Sequence, residues 1–361
     1  MFIMHYKRLL TLIDGVSSYL SVGLDVGADF TWMSIALPNG SFIGKPFKIV
    51  HSDPRSRDLA VAKIKEAQET YSLKSRCFLE STGIYHIPLL CFLRDKGFDC
   101  SVINPIITKN STNINIRKLH NDKFDSKKAA LVGLNVSLKT SILPDDSVVD
   151  LRNLVRDYYY FKDLQSAVAL KLTAELKVSF PAYAKVFSKV TTQSSLKLLS
   201  SYPLAEDMLA ASKDDIVKII RSTARFGEAY ALRKYDAIIA AAQDTAVFGR
   251  ALPSNAVRIR LYIDTYQEYQ KHLDALLKAL HETVDRLQDT LIYDQICLLQ
   301  SLRGIGFLSA VVLIAEMGDF KLFSSPKKLY AYFGLDPAVK QSGKLNGDKV
   351  HMSKRGSSLA R

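Results

Sequence analysis

Residues 21–27 read Ser21-Val22-Gly23-Leu24-Asp25-Val26-Gly27, a short apolar run that closes on a carboxylate and a glycine. A run of this length and composition reads as a buried strand. Thr31 to Leu37 follows as a second strand, Pro38-Asn39-Gly40 as a turn, and Ser41 to Val50 as a third, partly alternating strand. Together they predict an antiparallel meander. Pro54 to Tyr71 then carries Leu59, Ala62, Ile64 and Ala67 at helical spacing. Arg76 to Leu79 predicts a strand ending at Glu80, followed by a Ser81-Thr82-Gly83 turn. Tyr85 to Lys96 predicts a helix stopped by Gly97, and Phe98 to Ile103 a strand closed by Asn104-Pro105. Strands alternating with helices make this an α/β domain, about 20–145, bounded by Pro144-Asp145-Asp146.

Beyond that boundary the pattern changes. From Val148 to Leu291 glycine is scarce and the prolines are Pro181, Pro203 and Pro253. Leu261, Ile263, Leu273, Leu276, Leu277, Leu280, Val284 and Leu287 recur at three and four, which predicts long helices with coiled-coil character over about 146–295. The plain reading of this region is a buried or dimerising bundle without chemistry. In 296–361, Leu302-Arg303-Gly304-Ile305-Gly306 precedes an apolar helix, Phe307 to Met317, and a second helix is expected around Pro326 to Phe333. A polar, basic tail follows.

The candidate chemistry begins with acids. Asp25 and Glu80 each end a predicted strand, where α/β sheets place their sites. Asp122 and Asp125 share one helical face at a spacing of three. Four carboxylates gathered together repel one another unless a cation joins them, and two Mg²⁺ ions about 4 Å apart at such a site activate an attacking oxygen and stabilise a leaving one. Each acid also has a plain reading: Asp25 as a turn residue, Glu80 as a cap or surface charge, and Asp122 and Asp125 as a solvated helix start.

In the last region, the Gly304-Ile305-Gly306 turn resembles a helix-hairpin-helix hairpin. Its glycines would let the backbone approach a phosphate, although tight helix packing accounts for them equally well. Ser342, in Gln341-Ser342-Gly343, is read as an exposed loop serine with Lys340, Lys344, His351, Lys354 and Arg355 nearby in sequence. That setting permits attack on a phosphodiester, and equally suits an ordinary loop serine.

Bulk properties narrow the field. The formal net charge is +13 and the pI about 9.4, which favours a polyanionic partner through counterion release. Residues 321–361 hold nine Lys and Arg against two Asp and Glu, so they carry +7 of that +13. Cys77, Cys91, Cys100 and Cys297 form no C-x-x-C pair or zinc spacing and read as reduced thiols of a cytoplasmic protein. Residues 1–20 lack the features of a signal peptide and are read as an N-terminal extension without an assigned role, and no stretch is apolar enough to span a membrane.

Taken together, the motifs resemble the DEDD transposases of insertion sequences, relatives of the pilin-gene-inverting recombinase whose RNA-guided members are called bridge recombinases. The N-terminal likeness is carried by 22–27, by Leu79-Glu80-Ser81-Thr82-Gly83, and by Asn121-Asp122-Lys123-Phe124-Asp125-Ser126-Lys127-Lys128-Ala129. The C-terminal likeness is carried by 302–306, Ala315-Glu316-Met317-Gly318-Asp319, Tyr330 to Pro337, 341–343 and Ser353-Lys354-Arg355-Gly356. The resemblance implies a ribonuclease-H-like (RuvC-like) domain, a helical and coiled-coil dimerisation region, and a small α-helical transposase domain. It maps the acidic tetrad onto Asp25, Glu80, Asp122 and Asp125 as Mg²⁺ ligands, with Mn²⁺ as a substitute. It makes Ser342 the nucleophile that links covalently to DNA.

The implied partners are double-stranded DNA at element ends and target, a noncoding guide RNA, and further copies of the chain in a dimer or tetramer. The expected location is the cytoplasm, at the nucleoid when active. Gly304, Gly306, Lys340, Lys344, Lys354 and Arg355 are the expected nucleic-acid contacts. The family often has alanine where this chain has Ser126, and relatives continue with further helix beyond the point where this chain ends, so a shortened C-terminal domain is expected. A metal-dependent RuvC-like nuclease or junction resolvase, which would ignore Ser342, is the alternative activity. An inactive nucleic-acid-binding remnant is the second alternative.

Overall fold

The computed structural model describes residues 19–80, 84–103, 121–135, 145–223, 227–318, 320–338, 341–342, 345–346, 351–354 and 356–361, with backbone alone at 322, 338, 341, 342, 345 and 346. The chain divides into two units, Met1–Leu143 and Pro144–Arg361.

The first unit is a five-stranded sheet in the order β3-β2-β1-β4-β5. The strands are β1 (Tyr19–Val26), β2 (Phe30–Ala36), β3 (Phe47–Val50), β4 (Lys74–Glu80) and β5 (Asp99–Ile103). β2 runs antiparallel to β1 and to β3, whereas β1, β4 and β5 are mutually parallel. The third strand is shorter than its sequence pattern predicts: residues 41–46 hold only a bridge from Phe42 to Ala36, and regular pairing begins at Phe47.

Helix α1 (Pro54–Tyr71) starts where predicted. Asp53 accepts the Arg55 amide at 3.0 Å and Pro54 fills the first turn, where no amide is needed. Helix α2 (His86–Asp95) ends before Gly97, whose φ of +85° suits glycine. Ala60, Ile64, Leu89, Leu90 and Leu93 of these helices pack on Leu20, Val22, Leu24, Cys77 and Leu79. The odd-even alternation of β1 therefore sends Ser21, Gly23 and Asp25 to the opposite face. That face receives α3 (Asp122–Asn135).

The second unit is built on α4 (Asp146–Ser179) and α9 (Pro253–Asp285), of 34 and 33 residues. They run antiparallel. Glu175 meets Asn255, Gln165 meets Gln270 at 2.9 Å, and Phe161 lies 5.0 Å from His272, so rising numbers on one helix meet falling numbers on the other. The long helices expected in the middle of the chain are therefore two that lie side by side. Between them α5 (Gln193–Ser201), α6 (Ala205–Ala210), α7 (Lys213–Thr223) and α8 (Glu228–Val247) close one core around Leu176, Phe180, Tyr183 and Ile238. The other ends of the long pair, through Leu151, Val155, Leu280 and Val284, share a second core with α10 (Leu291–Gln300), α11 (Phe307–Met317) and α12 (Pro326–Phe333).

The C-terminal segment departs from the all-helical expectation. β6 (Pro337–Ala338) pairs with β9 (His351–Met352), and β7 (Gln341–Ser342) with β8 (Leu345–Asn346). Ser342 thus lies in a short strand paired with β8 and not in a free polar loop, because pairing with β8 satisfies backbone groups that a loop would leave to water.

Candidate functional site

Helix α3 reaches the sheet through small residues. A Cβ added to Gly23 would fall 2.1 Å from the Ser126 carbonyl oxygen and 2.2 Å from the Ala130 amide nitrogen. Backbone meets backbone there, and glycine alone permits it. One level along, Ser21 donates to the Ala130 carbonyl at 2.6 Å, and Tyr19 donates to that of Gly133 at 2.7 Å. Gly133 in turn leaves room for the Phe78 ring. Ser126 is fully buried, donates to the Lys123 carbonyl at 3.0 Å and meets the Ser34 hydroxyl at 2.8 Å. A hydroxyl at 126, where alanine is frequent in the resembled family, has its partner ready on β2.

This seat fixes the acids. Asp25 is the last residue of β1 on the α3 face. In the parallel register Leu24 pairs with Leu79, so Glu80 stands level with Asp25 on the neighbouring strand, on the side of Phe78. The first turn of α3 brings Asp122 and Asp125, with Asn121 accepting the Lys123 amide at 3.1 Å to start the helix. Asp122 is exposed, while Asp25, Glu80 and Asp125 are half-buried. Desolvation, then the charges of Asp125, Asp122 and Glu80, push the Asp25 carboxyl up from its ordinary 3.8 to about 6. The structure therefore brings all four acids within electrostatic reach of one point. It does not close them into a cage: among the described residues no group of three His, Cys, Asp or Glu side chains stands ready to hold an ion. Lys128 lies 4.0 Å from Asp125, and Lys123 sits over the Trp32 ring at 4.6 Å, so two cations border the acids.

The donor set fits a hard divalent cation. Carboxylate oxygens are what Mg²⁺ takes, and the strain on a charged Asp25 is of the kind a bound cation relieves.

The remaining predicted contacts lie in the second unit. Gly304 has φ of +98° and Gly306 sits at the start of α11, whose first turn no side chain caps. His281 stacks on Phe307 with ring centroids 3.7 Å apart. Lys354 is exposed and left-handed at φ of +51°. Lys340, Lys344 and Arg355 lie outside the described residues, as do Ser81 to Gly83 and nearly all of the N-terminal extension. No described helix is long and apolar enough to cross a membrane.

Sequence reasoning passed over the seat itself. Gly23 and Ser126 are legible only as parts of motifs, Ser126 as a place where alanine is frequent, and nothing in the motifs marks Ala130 and Gly133 or shows that these residues meet. Their signal is a stripe of small residues at 126, 129, 130 and 133 facing one glycine on a strand.

Comparison with known proteins places two stretches of the chain beside transposase domains. A model of the DEDD transposase domain of IS110 matches residues 22–181, and a model described as "Transposase IS116/IS110/IS902 family" matches residues 297–361. Two stretches of the chain, 22–181 and 297–361, are thus similar to IS110-family transposase domains, the DEDD-type stretch first. A Sinorhizobium fredii protein (strain NBRC 101917 / NGR234) named "Putative transposase y4qE" is 35% identical over 66 residues. That match spans 18% of this chain and only 17% of the relative. Among solved structures, T. thermophilus RuvC in complex with a Holliday junction substrate matches at 10% identity. It covers 32% of this chain and 91% of that one at a TM-score of 0.24, too low to carry an argument.

Proposed function

We propose that this chain is a DNA transposase that cuts and rejoins phosphodiester bonds at the ends of an insertion sequence. The observation that carries the reading is the gathering of Asp25, Glu80, Asp122 and Asp125 around one sheet edge, in a chain that also holds the second IS110-type domain. The strand order 3-2-1-4-5, with β2 alone opposed to the rest, supports a ribonuclease-H-like first unit.

The four carboxylates would hold Mg²⁺, or Mn²⁺ in its place. When bound, the ion supplies positive charge for the oxygens gained and lost at phosphorus. The chain's own residues do the rest. Gly23 sets the depth of α3 and so the approach of Asp122 and Asp125 to Asp25. Burial of Asp25 keeps the site partly shielded from water. Ser342 is the nucleophile: its oxygen forms a bond to phosphorus, the deoxyribose oxygen leaves, and that oxygen takes up a proton. Gly304, Gly306, Lys354, Lys340, Lys344 and Arg355 contact the DNA backbone. A noncoding RNA of the element guides target choice, and two or four copies hold the duplexes together. The net charge of +13 supports a polyanionic partner without selecting RNA or DNA.

The test is a trapping assay. Protein is incubated with labelled element-end DNA, Mg²⁺ and the flanking noncoding RNA, then resolved on a denaturing gel. A labelled protein–DNA band is expected, absent in Ser342→Ala and in Asp25→Asn. Cleaved DNA without a protein band, unaffected by Ser342→Ala, would replace this reading with a metal-dependent nuclease. DNA binding without any reaction would replace it with a binding remnant.

A further inference from the structure

The described residues on either side of the Ser342 region, 334–338 before it and 351–354 after it, are joined as a stem by four ties. β6 pairs with β9, the Ser353 amide donates to the Asp336 carbonyl at 2.8 Å, the Ser353 hydroxyl donates to the Asp336 carboxylate at 2.5 Å, and the Lys354 amide donates to the Gly334 carbonyl at 3.0 Å. The stem stands on α12 and on the returning chain at 356–361. Gly356 presses so closely on α12 that a Cβ there would lie 2.0 Å from the Tyr332 carbonyl oxygen. Arg361 donates to the Phe333 carbonyl at 2.8 Å.

Both pieces converge on one buried acid. Glu316, 3% exposed near the end of α11, accepts two hydrogen bonds from the Arg156 guanidinium of α4, at 2.8 and 2.9 Å. Its backbone carbonyl accepts from the Tyr332 hydroxyl at 3.0 Å, and Ser357 lies close enough to its carboxylate to favour the charged form. Arg152, one turn earlier on α4, donates to the neighbouring Ala315 carbonyl at 2.7 Å. Burial pushes the Glu316 carboxyl up, but Arg156, Ser357 and Arg152 more than offset this and hold it below its ordinary value. A buried charge tied to three elements, α4, α12 and the C-terminal strand of chain, fixes their relative placement through directional, bidentate bonds.

We propose that Glu316 is a positioning residue for the Ser342 segment: through Arg156, Tyr332 and Ser357 it sets the frame on which the Asp336–Ser353 stem stands. This rests on the reading that Ser342 is the nucleophile. Misplacement of a reacting group by about 1 Å costs on the order of a hundredfold in rate. Loosening the frame therefore slows the covalent step while leaving DNA binding intact.

The experiment uses the full chain, element-end DNA at saturating concentration, Mg²⁺ and flanking RNA, and measures the rate of covalent adduct formation beside DNA affinity and melting temperature. Glu316→Gln keeps the shape and the Ser357 contact but loses the charged fork. It is expected to slow adduct formation by about tenfold or more at unchanged DNA affinity. Ser353→Ala removes one stem hydrogen bond, is expected to slow the same step by a smaller factor, and decides the matter if Glu316→Gln fails to fold. A folded Glu316→Gln protein, or Ser353→Ala where that fails, forming adduct at the wild-type rate overturns the inference. A wild-type protein that cuts DNA without any Ser342-dependent adduct overturns the serine reading instead, so the two failures are distinct.

Discussion

Gly23 on β1 and Ala130 on α3 are in backbone contact, with no room for a methyl group between them. The contact determines how close the first turn of α3, with Asp122 and Asp125, comes to Asp25 two residues further along the strand. Gly23→Ala is expected to push α3 off the sheet and to destabilise the first unit by about 3 kcal/mol or more, since the overlap is with backbone that cannot swing aside. Thermal unfolding with and without Mg²⁺ reads both effects: a lower melting temperature, and loss of any rise on adding the ion. A melting temperature equal to the wild type's would show that the helix seats differently.

Asp25 makes the metal-free protein pH-sensitive. Its folded carboxyl titrates near 6 against an ordinary 3.8, so between these values the folded state holds more protons than the unfolded one. Stability is therefore present at low pH and is lost as pH rises through about 6. In EDTA, Asp25→Asn is expected to be more stable than wild type at pH 7.5, by about 1 kcal/mol after discounting for partial exposure, and to lose that advantage at pH 4. Mg²⁺ should stabilise wild type at pH 7.5 and not the variant. Parallel melting curves for the two proteins across this range would refute the assignment.

Ser34 and Ser126 form a buried hydroxyl pair in which the Ser126 proton is already committed to the Lys123 carbonyl. Ser126→Ala leaves the Ser34 hydroxyl with no acceptor and is expected to cost about 1–2 kcal/mol. Ser34→Ala leaves Ser126 with its carbonyl partner and costs less. The double variant is expected to be no worse than Ser126→Ala, and a denaturant-unfolding double-mutant cycle measures the coupling. Additive losses would show that the two hydroxyls do not depend on each other.

Gly356 combines φ of +79° with close approach to Tyr332. Gly356→Ala is strained on both counts and is expected to release the C-terminal strand of chain from α12. Limited proteolysis should then cut within 351–361 much faster than in wild type, while the first unit keeps its melting temperature. An unchanged digestion rate would show that the tail holds without this contact.

Much of the first unit could be read from the sequence. The run at 21–27, the helix at 54–71 and the strand ending at Glu80 each stand where predicted, because a sheet covered on both faces favours short continuous apolar runs and a helix packed on it keeps its own period. The helix over 326–333 was equally legible from Pro326 and Gly334. Legibility fell where partners are distant in sequence. Residues 41–46 carry strand-like composition, yet apart from the Phe42–Ala36 bridge regular pairing with β2 involves only Phe47 to Val50. The pattern over 148–291 reads as long helices, but periodicity is local and gives no sign that residues 175 and 255 will face each other.

The sequence by itself determined which residues are acids at strand ends, which segments are helices, and where the basic charge accumulates. These follow from local propensity, hydrophobic period and composition, which act within a few residues. Only the tertiary structure decided that Asp25, Glu80, Asp122 and Asp125 share one field, that Gly23 is the contact on which their spacing depends, and that Glu316 joins α4 to α12. Those facts rest on contacts between residues about a hundred or more positions apart, such as Ser21 with Ala130 and Arg156 with Glu316. They exist only once burial has forced the backbones together and left each buried polar group one partner to find.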